Sequence, residues 1–429
     1  MHNKNRAYVN AAMQMVGNTV CLCGFAEQVR VLKKVAFLIL RDSTGSIQCV
    51  TTDPILMHLV ASCPVESAVR VRGTVSINEN VKLSPFELLL EEIEIINPAE
   101  ALPFQPDAHE DVRVMWRFLD LRTSARNLMI FRIQTAIEDA MREYLSEDFV
   151  ELHTPKLMGV PSEGRAELFE TDYFGKRAYL AQSPQLYKQL AIASGFEKVF
   201  EIGPVFRADP SATSRHTAEF TGVDIEMSWI DSHEDIMDFE ERWLAHVIAR
   251  VKEDYGDTIL KEFHVTLQVP VIPFPRISIA ECYDILEQKG HPVHRNGDLS
   301  SEFEKLIGEH VAQTHNHEFV FITDYPISVR PFYHMRTGNL TNSFDLLWKG
   351  MEITTGAQRE HRYDILLEQV AEKGINKEHI QFYLDCFRYG CPPHGGLGLG
   401  LSRLLMNMLN LDNVREATFI SRTKTRLVP

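Results

Sequence analysis

The sequence predicts an α+β protein in which a small N-terminal β-barrel precedes a larger domain built on an antiparallel sheet flanked by helices. Residues 18–98 contain short β-branched runs separated by turn signals, which is typical of a barrel of about five strands. From residue 125 onward, strand-like runs are followed by helix-like segments without regular βαβ alternation, and this order favours an antiparallel sheet. We therefore expect two domains, at 1–98 and 125–429, joined by a linker or hinge at 99–124.

The barrel strands are predicted from short apolar runs at 20–24, 35–40, 47–51, 69–75 and 87–90. An Asp-Ser-Thr-Gly turn signal at 42–45 separates the second run from the third. Among small barrels the OB-fold is the commonest kind that binds nucleic acid, and it is the fold that we predict here. The linker is predicted from Pro98, Pro103 and Pro106, which stand among several acidic residues.

The second domain begins with a predicted amphipathic helix over 125–147. Ile130, Ile133, Ile137 and Met141 recur there at helical spacing. Further along, the sequence predicts strands at 178–181, 199–202 and 220–229, a mainly helical stretch at 233–315, and a glycine-rich segment followed by a helix near the end.

Composition limits the class of protein. A hydrophobic fraction of 45% and a charged fraction of 24% exclude a disordered or low-complexity chain. No run approaches the roughly eighteen apolar residues that a membrane span needs, so we expect a cytoplasmic protein. The formal net charge of −15 argues against indiscriminate coating of nucleic acid, although a local basic groove is compatible with it. Cys21 and Cys23 lack a second pair at zinc-finger spacing, so we expect free thiols.

The segment 206–216 is a predicted loop that carries two arginines and a histidine between two strands. In the strand after it, Phe220, Asp224 and Glu226 share one face, whereas apolar residues occupy the other. Guanidinium groups match phosphate oxygens and a phenylalanine ring can stack on a base, so this pattern suits a nucleoside triphosphate. A surface hairpin with ordinary ion pairs is the alternative interpretation.

The segment 394–409 begins with closely spaced glycines, which let a ligand or a neighbouring strand approach the backbone. Leucine and methionine residues at helical spacing then predict a helix with one buried face, from which Arg403 points away. The glycine spacing is not G-x-G-x-x-G and no parallel βαβ unit surrounds it, so a dinucleotide-binding loop is a poor match.

In the segment 343–360, a hairpin with its turn at Trp348 and Lys349 would place Asp345 directly opposite Glu352. Two facing carboxylates repel each other unless a cation lies between them. Carboxylates together with substrate phosphates are a usual environment for Mg²⁺, which is therefore the predicted metal ion. An edge hairpin with solvated acids is the alternative interpretation.

Together these three segments resemble motifs 2 and 3 and the metal-binding strands of the class II aminoacyl-tRNA synthetases. The similarity covers nearly the whole chain and includes Pro155, which matches the motif 1 proline at that family's dimer interface. The N-terminal barrel matches the anticodon-binding OB-fold domain of the aspartyl, asparaginyl and lysyl subgroup. Within this subgroup the chain is most similar to the shorter archaeal and eukaryotic type of aspartyl-tRNA synthetase, because 233–330 is too short for the bacterial insertion domain.

The resemblance implies a homodimeric enzyme that uses ATP and Mg²⁺ to activate L-aspartate to aspartyl-adenylate and transfers it to the 3′ end of tRNA(Asp). It leaves open whether tRNA(Asn) is a second acceptor. Arg207, at the α-phosphate, and Arg403, against the adenine, are the implied catalytic residues. The implied ATP-binding set is Arg207, Arg215, His216, Glu219, Phe220, Glu352 and Arg403.

The remaining sites are implied in the same way. The aspartate-binding set is Glu163, Ser183, Gln185, Lys188, Asp224, Thr355 and Arg359, in which Lys188 and Arg359 would pair with the side-chain carboxylate. The metal ligands are Asp345, Glu352 and Thr355. The tRNA-binding set is Phe37, Gln48 and Glu87 for anticodon bases, and Asp209, Ser211 and Thr213 for the acceptor end.

One position departs from the family's pattern, because Ser402 stands where most relatives have a glutamate before the motif 3 arginine. Two other functions stay open. An asparaginyl-tRNA synthetase would share the ATP site, but the two cations Lys188 and Arg359 favour a carboxylate over an amide in the side-chain pocket. A divergent paralogue that binds tRNA without catalysis is favoured by Ser402 and opposed by the intact phosphate-binding and metal-binding residues.

Overall fold

The structure is a computed structural model that describes residues 6–105, 107–160, 168–208 and 213–428. The chain divides into two compact units, Met1–Ala108 and His109–Pro429. In the first unit lie the strands β1 (Arg6–Ala7), β2 (Thr19–Val31), β3 (Ala36–Arg41), β4 (Ser46–Thr51), β5 (Ala68–Ile77) and β6 (Phe86–Asn97), and the helices α1 (Val9–Ala12) and α2 (Pro54–Ala61).

The first unit is a closed barrel. Its strands follow the order β1-β2-β3-β4-β6-β5, and β2 also pairs with β5, which closes the ring. Side chains alternate along β3, where Ala36, Leu38 and Leu40 are fully buried whereas Phe37 and Ile39 are partly exposed on the outside. The predicted small N-terminal barrel is confirmed.

The helices of the second unit are α3 (Glu110–Met115), α4 (Arg117–Thr123), α5 (Ala125–Leu145), α6 (Gln185–Ala193), α7 (Glu234–Phe263), α8 (Ile279–Gln288), α9 (Ser301–His315), α10 (Tyr363–Glu372), α11 (Gln381–Arg388) and α12 (Leu401–Leu409). A 3₁₀ turn lies at Lys377–Ile380. Among the described residues, no helix combines the length and the apolar character that crossing a membrane requires.

The strands of the second unit are β7 (Val150–Glu151), β8 (Leu157–Met158), β9 (Glu170–Tyr173), β10 (Lys176–Leu180), β11 (Lys198–Phe206), β12 (Glu219–Ser228), β13 (Arg276–Ser278), β14 (Phe319–Thr323), β15 (Arg336–Thr337), β16 (Leu340–Thr341), β17 (Ser343–Trp348), β18 (Met351–Gln358) and β19 (His394–Gly400). The predicted linker at 99–124 spans the division between the units, and its second half forms α3 and α4. The domain boundaries themselves remain a prediction.

An eight-stranded sheet in the order β13-β14-β17-β18-β19-β12-β11-β7 organises the second unit. Neighbouring strands are antiparallel except for the outermost pairs, β13 with β14 and β7 with β11, which are parallel. Helices α5 and α7 pack against one face through a core that includes Ile133, Ile137, Trp243, Val223 and Ile225. The predicted antiparallel sheet with flanking helices is therefore confirmed, and its opposite face is left for polar residues.

A glycine in β19 allows a charged side chain to lie flat on this polar face. A Cβ atom built at Gly396 would overlap the carboxylate of Glu226 and the carbonyl oxygen of Ile225, both on the neighbouring strand β12. The close approach predicted for the glycine-rich segment is therefore present, and the group that approaches is a carboxylate of the protein itself.

The third predicted strand of this domain ends one residue earlier than expected. β12 ends at Ser228, and Trp229 has a φ of 61° and is 69% exposed. Its backbone N–H donates to the carbonyl oxygen of Pro393 at 2.7 Å, so the chain turns out of the sheet at this residue. Trp229 therefore does not share the core-facing side of the strand with Val223 and Ile225.

Glu240 on α7 is a buried carboxyl group that makes the stability of the fold depend on pH. Its side chain is fully buried beside the hydroxyl of Thr354, which favours the charged form but does not offset the burial. Burial, and to a smaller extent the carboxylates of Asp345 and Glu241, raise the pKa of Glu240 to about 8. The folded chain therefore keeps a proton that the unfolded chain releases near its ordinary pKa of 4.5.

We predict that the free energy of unfolding falls as the pH rises from about 4.5 to about 8, by up to about 5 kcal/mol from this group. Glu240→Gln should remove that contribution, so that the variant is more stable than the parent above pH 8 and close to it below pH 5. Urea denaturation at a series of pH values measures this difference. Asp257→Asn, at an exposed position on the same helix, should leave the pH profile unchanged, and a parallel profile for Glu240→Gln would contradict the prediction.

Candidate active site

The polar face of the eight-stranded sheet forms the floor of a cavity of about 380 Å³. Its walls come from the end of β11, the loop before β12, the segment 329–334 and the start of α12. The predicted site residues that line it are Ser183, Gln185, Arg207, Arg215, His216, Phe220, Asp224, Glu352, Thr355, Arg359 and Arg403. One cavity thus brings together residues that were predicted from separate segments of the sequence.

The other predicted residues lie elsewhere. Lys188 and Asp345 are buried beneath the cavity floor, and Glu219 is exposed at the start of β12. The predicted residues Glu163, Asp209 and Ser211 lie outside the described residues. Phe37, Gln48 and Glu87 lie in the first unit.

Arg403 and His216 form a contact network at one end of the cavity. The Arg403 guanidinium donates through NH1 to the carbonyl oxygen of Glu352 at 3.0 Å and to its Oε1 at 3.2 Å. Its NH2 lies 3.1 Å from Nε2 of His216, and Nδ1 of His216 lies 2.6 Å from the hydroxyl oxygen of Thr213. Because arginine can only donate, Nε2 accepts, which places the ring proton on Nδ1, facing Thr213.

Arg207 lies beside Phe220 at the same end. Phe220 pairs with Val205 across β11 and β12, and the backbone N–H of Arg207 donates to the carbonyl oxygen of Ala218 at 2.9 Å. The guanidinium carbon of Arg207 lies 5.5 Å from the centre of the Phe220 ring. A positive charge and an aromatic face are therefore held next to each other by the two strands.

Glu304 on α9 contacts two residues that line this end of the cavity, although the sequence analysis did not single it out. Its Oε2 accepts from NH1 of Arg215 at 3.0 Å and from the backbone N–H of Glu352 at 3.3 Å. Burial and the neighbouring Glu352 carboxylate raise the pKa of Glu304 to about 7. No local signal could have found Glu304, because its helix belongs to a stretch without a recognisable motif.

The hairpin of β17 and β18 has a different register from the predicted one. Its two-residue turn is Lys349 and Gly350, which have φ angles of 51° and 72°, rather than Trp348 and Lys349. A bulge after Leu346 then shifts the pairing again, so Asp345 faces Thr355 and not Glu352. The prediction that the two carboxylates are directly opposite each other is therefore wrong.

Asp345 has a buried partner that the sequence analysis did not identify. NH2 of Arg330 donates to its Oδ2 at 2.7 Å, and both side chains are more than nine-tenths buried. Burial opposes the charge of Arg330, but Asp345 outweighs it and raises the arginine pKa. Among the described residues, no three His, Cys, Asp or Glu side chains form a ready metal cluster.

Four charged groups form a buried cluster at the other end of the cavity. The ammonium of Lys188 lies 3.2 Å from Asp224 and 3.2 Å from Glu226. Glu226 also accepts two hydrogen bonds from Arg359, at 2.9 and 3.2 Å. Two cations and two carboxylates thus share one buried site, in which Arg359 and Asp224 reach the cavity.

The pKa shifts in this cluster separate the two carboxylates. Burial alone would raise the pKa of Glu226, but Arg359 and Lys188 more than offset it and hold that pKa below its usual value. Burial raises the pKa of Asp224, and Lys188 only partly counteracts it. Glu226 is therefore the firmly ionised anion of the cluster. Strand alternation predicted that Glu226 shares a face with Asp224, but gave no sign that it is fully buried.

His334 supports Arg359 from the opposite side. NH1 of Arg359 lies 3.2 Å from Nε2 of His334, which therefore accepts. Burial and the positive charge of Arg359 lower the pKa of His334 well below its usual value, so the imidazole is neutral. The guanidinium is thereby fixed between an anion and a neutral acceptor.

In the first unit, Phe37 and Gln48 lie on the outer face of the neighbouring strands β3 and β4. Nε2 of Gln48 donates to Glu87 at 2.9 Å, and Nδ2 of Asn78 donates to the other Glu87 oxygen at 2.9 Å. Glu87 itself is only 7% exposed. A partly exposed ring and an oriented amide therefore share one face, and the Glu87 carboxylate orients the amide.

Comparisons with known proteins identify a family for each of the two units. The family of class II tRNA synthetases for D, K and N matches residues 109–424, and the OB-fold nucleic acid binding domain matches residues 20–96. The chain therefore belongs to the class II tRNA synthetases of the D, K and N group, with an N-terminal OB-fold domain. The resemblance stated from the three sequence segments is confirmed.

Similar proteins within this family include aspartate–tRNA ligases and an asparaginyl-tRNA synthetase. The chain is 40% identical to the aspartate–tRNA(Asp) ligase of Thermococcus kodakarensis, over 97% of each chain. It is also 40% identical to the aspartate–tRNA(Asp/Asn) ligase of Aeropyrum pernix, over 97% of this chain and 96% of the relative. Among solved structures, asparaginyl-tRNA synthetase from Pyrococcus horikoshii with asparaginyl-adenylate matches with a TM-score of 0.93, at 32% identity over all of both chains.

Proposed function

We propose that this enzyme activates L-aspartate with ATP to aspartyl-adenylate and transfers the aspartyl group to the 3′ end of tRNA(Asp). The buried cluster of Lys188, Arg359, Asp224 and Glu226 is the observation that carries the choice of amino acid. The two curated relatives named above, both called aspartate–tRNA ligases, support the same choice.

Charge balance in this cluster favours aspartate over asparagine. An α-ammonium group bound at Asp224 would take over the pairing that Lys188 now provides at 3.2 Å. Lys188 and Arg359 would then share the single charge of Glu226, which leaves one net positive charge in a buried site. A substrate carboxylate neutralises that charge, whereas an amide leaves it uncompensated.

At the other end of the cavity, the residues suit ATP. The carboxylate of the amino acid attacks the α-phosphorus, the bond to the bridging oxygen breaks, and pyrophosphate leaves. Arg207 lies where it can stabilise the charge that develops on the α-phosphate, and Phe220 offers a surface for the adenine. Arg215, His216 and Arg403 line the same end and suit the outer phosphates.

The residues at this end also fit Mg²⁺. The Thr355 hydroxyl lies 3.5 Å from Oε1 of Glu352, and both residues line the cavity. Asp345 uses Oδ2 to pair with Arg330, while its buried Oδ1 has no hydrogen-bond partner among the described residues. Glu352 and Thr355 would hold the ion, with Asp345 beneath them. When bound, the ion supplies positive charge to the phosphates.

In the second step, a terminal ribose hydroxyl of the tRNA attacks the carbonyl carbon of the adenylate, and AMP leaves. We assign the acceptor end to the loop before β12, which includes Asp209, Ser211 and Thr213. Phe37 and Gln48 suit anticodon bases, because single-stranded bases are read by stacking and by hydrogen bonds. Glu87 would act by fixing the amide of Gln48.

The asparaginyl alternative is favoured by the Pyrococcus structure, because that enzyme shares the fold over its whole length. The side-chain pocket argues against it, as described above. A paralogue without catalysis is opposed by Arg403, which keeps contacts with Glu352 and His216 although Ser402 precedes it. Charging of tRNA(Asp) and tRNA(Asn) transcripts at matched concentrations distinguishes a single acceptor from two.

We also propose a homodimer. β7 is the last strand of the eight-stranded sheet, and Val150 on it is 45% exposed. Together with α5 and the segment that ends at Pro155, the edge that carries Val150 is the surface that we assign to a second copy of the chain. Apolar edge strands are usually covered, which supports this assignment.

In ATP–pyrophosphate exchange, kcat/KM for aspartate should exceed that for asparagine by roughly 10³- to 10⁵-fold, because the amide leaves a buried charge unpaired. Equal or faster exchange with asparagine would establish the asparaginyl alternative. If the folded protein catalysed exchange with neither amino acid, the interpretation as a non-catalytic paralogue would be favoured.

Arg359→Met should raise the KM for aspartate by roughly 10²- to 10³-fold, because it removes the net positive charge of the pocket. The KM for ATP should change by less than about threefold, since Arg359 lies in the buried cluster at the other end of the cavity. Arg362→Met is the matched control, because Arg362 is 49% exposed and pairs with Glu360. If Arg359→Met raised the KM for ATP as much as the KM for aspartate, the assignment of Arg359 to the aspartate pocket would be wrong.

Phe37→Ala should raise the KM for tRNA(Asp) by about ten- to a hundredfold, because base stacking is lost. Exchange in the absence of tRNA should be unchanged. Tyr8→Ala, which removes another partly exposed aromatic ring of the first unit, serves as the control. An unchanged KM for tRNA in Phe37→Ala would rule out stacking at this ring.

Sedimentation at micromolar concentration should give a species of twice the 49.1 kDa chain mass. Val150→Lys should shift it toward the monomer, because a charge is placed in the apolar edge. A stable monomer of the unaltered chain would refute the dimer.

A further inference from the structure

Helix α9 packs closely against the turn between β17 and β18, where Gly308 of the helix meets Gly350 of the turn. A Cβ atom at Gly308 would lie 2.5 Å from the Cα atom of Gly350, and one at Gly350 would lie 2.7 Å from the Cα atom of Lys305. Side chains at either position would push the helix off the turn. This close approach fixes the first turn of α9 next to the start of β18.

Glu304 stands on that first turn and connects three elements of the fold. One of its oxygens, Oε2, accepts from Arg215 of the loop before β12 and from the backbone of Glu352 in β18. The Glu304 side chain is 12% exposed and that of Arg215 is 21% exposed. The pair is thus largely shielded from solvent, where an ion pair holds its geometry better than it does on an open surface.

We propose that Glu304 is a positioning residue of the ATP site, which holds the Arg215 guanidinium ready for the outer phosphates. This inference rests on the proposed function, because it assumes that the phosphates of ATP occupy that end of the cavity. It adds to the site a residue from a helix that carries none of the recognised motifs.

The geometry favours positioning over competition with the phosphates. Arg215 lines the cavity, but Glu304 does not, so the carboxylate contacts the guanidinium from outside the space that a ligand would fill. Glu304 accepts from Nη1 of Arg215 and does not use its Nη2 or Nε. Those donors stay available, and the rotamer entropy of a long side chain is largely lost before ATP arrives.

Glu304→Ala should raise the KM for ATP in pyrophosphate exchange by about tenfold, with the KM for aspartate unchanged. Glu304→Gln keeps an oxygen that can accept from both partners, so its effect should be smaller. In an Arg215→Met background, Glu304→Ala should have no additional effect, because the residue through which it acts is gone. Calorimetric titration of ATP gives the same comparison for any variant that is too slow to assay.

Glu302→Ala is the matched control, because it removes an exposed carboxylate from the same helical turn. It should leave the KM for ATP as in the parent, and thermal unfolding of all variants shows whether α9 stays in place. A KM for ATP that falls in Glu304→Ala would mean competition, and one that stays within twofold of the parent would mean no role. An equal rise with and without Arg215 would mean that the effect is structural, and each of these outcomes overturns the inference.

If the parent enzyme shows no exchange with aspartate or asparagine, the proposed function fails rather than this inference. If the parent exchanges normally and the Glu304 variants behave like Glu302→Ala, only the inference fails. The two outcomes are therefore distinguishable in one series of measurements.

Discussion

Glu226 is the buried anion on which the geometry of the cavity floor depends. It is fully buried, it binds Arg359 of the segment after β18 through both oxygens, and it lies 3.2 Å from Lys188 of α6. An unpaired carboxylate in that position would be very unfavourable, so the cations and the anion require one another. Gly396 leaves the space in which the carboxylate lies, and any larger residue there would displace it. Because β18, β19 and β12 are adjacent in the sheet, Arg359, Gly396 and Glu226 lie next to one another, and the charges in the pocket depend on this strand order.

The two ends of the cavity use their charges differently. At the amino-acid end, Lys188 and Arg359 are buried and shared between Asp224 and Glu226, so a ligand must replace one of the existing pairs. At the other end, Arg207, Arg215 and Arg403 sit on the walls, where phosphate oxygens can be added without breaking a buried pair. In the proposed function, selectivity for the amino acid therefore comes from the buried end, where an unpaired charge is costly, and the more open end takes the polyphosphate.

Much of this could be predicted from sequence, because the signals were local. The alternation in 220–228 predicted that Asp224 and Glu226 share one face. The glycines of 394–400 predicted that another group approaches the backbone closely there, as Glu226 does at Gly396. The hairpin register could not be read in the same way. The turn at Lys349 and Gly350 moves the partner of Asp345 by two residues, and the bulge after Leu346 moves it by one more. Arg330 and Glu304 were missed for another reason. Each reaches the site from a segment without a motif, and only tertiary packing brings it there.

The pairing of cations with carboxylates explains how a chain with a net charge of −15 can bind anionic substrates. Arg403 pairs with Glu352, Arg215 with Glu304, and Arg359 with Glu226, so the arginines at the cavity are ordered before any ligand arrives. Ordering in advance lowers the entropy that binding must overcome, and the carboxylates keep the empty cavity from carrying a large uncompensated positive charge. Arg207 differs, because within the described residues its guanidinium lies against the ring of Phe220, which orients the group without neutralising it. In the proposed function, the charge of Arg207 acts on the phosphorus that gains negative charge in the reaction, which is where electrostatic stabilisation lowers a barrier most.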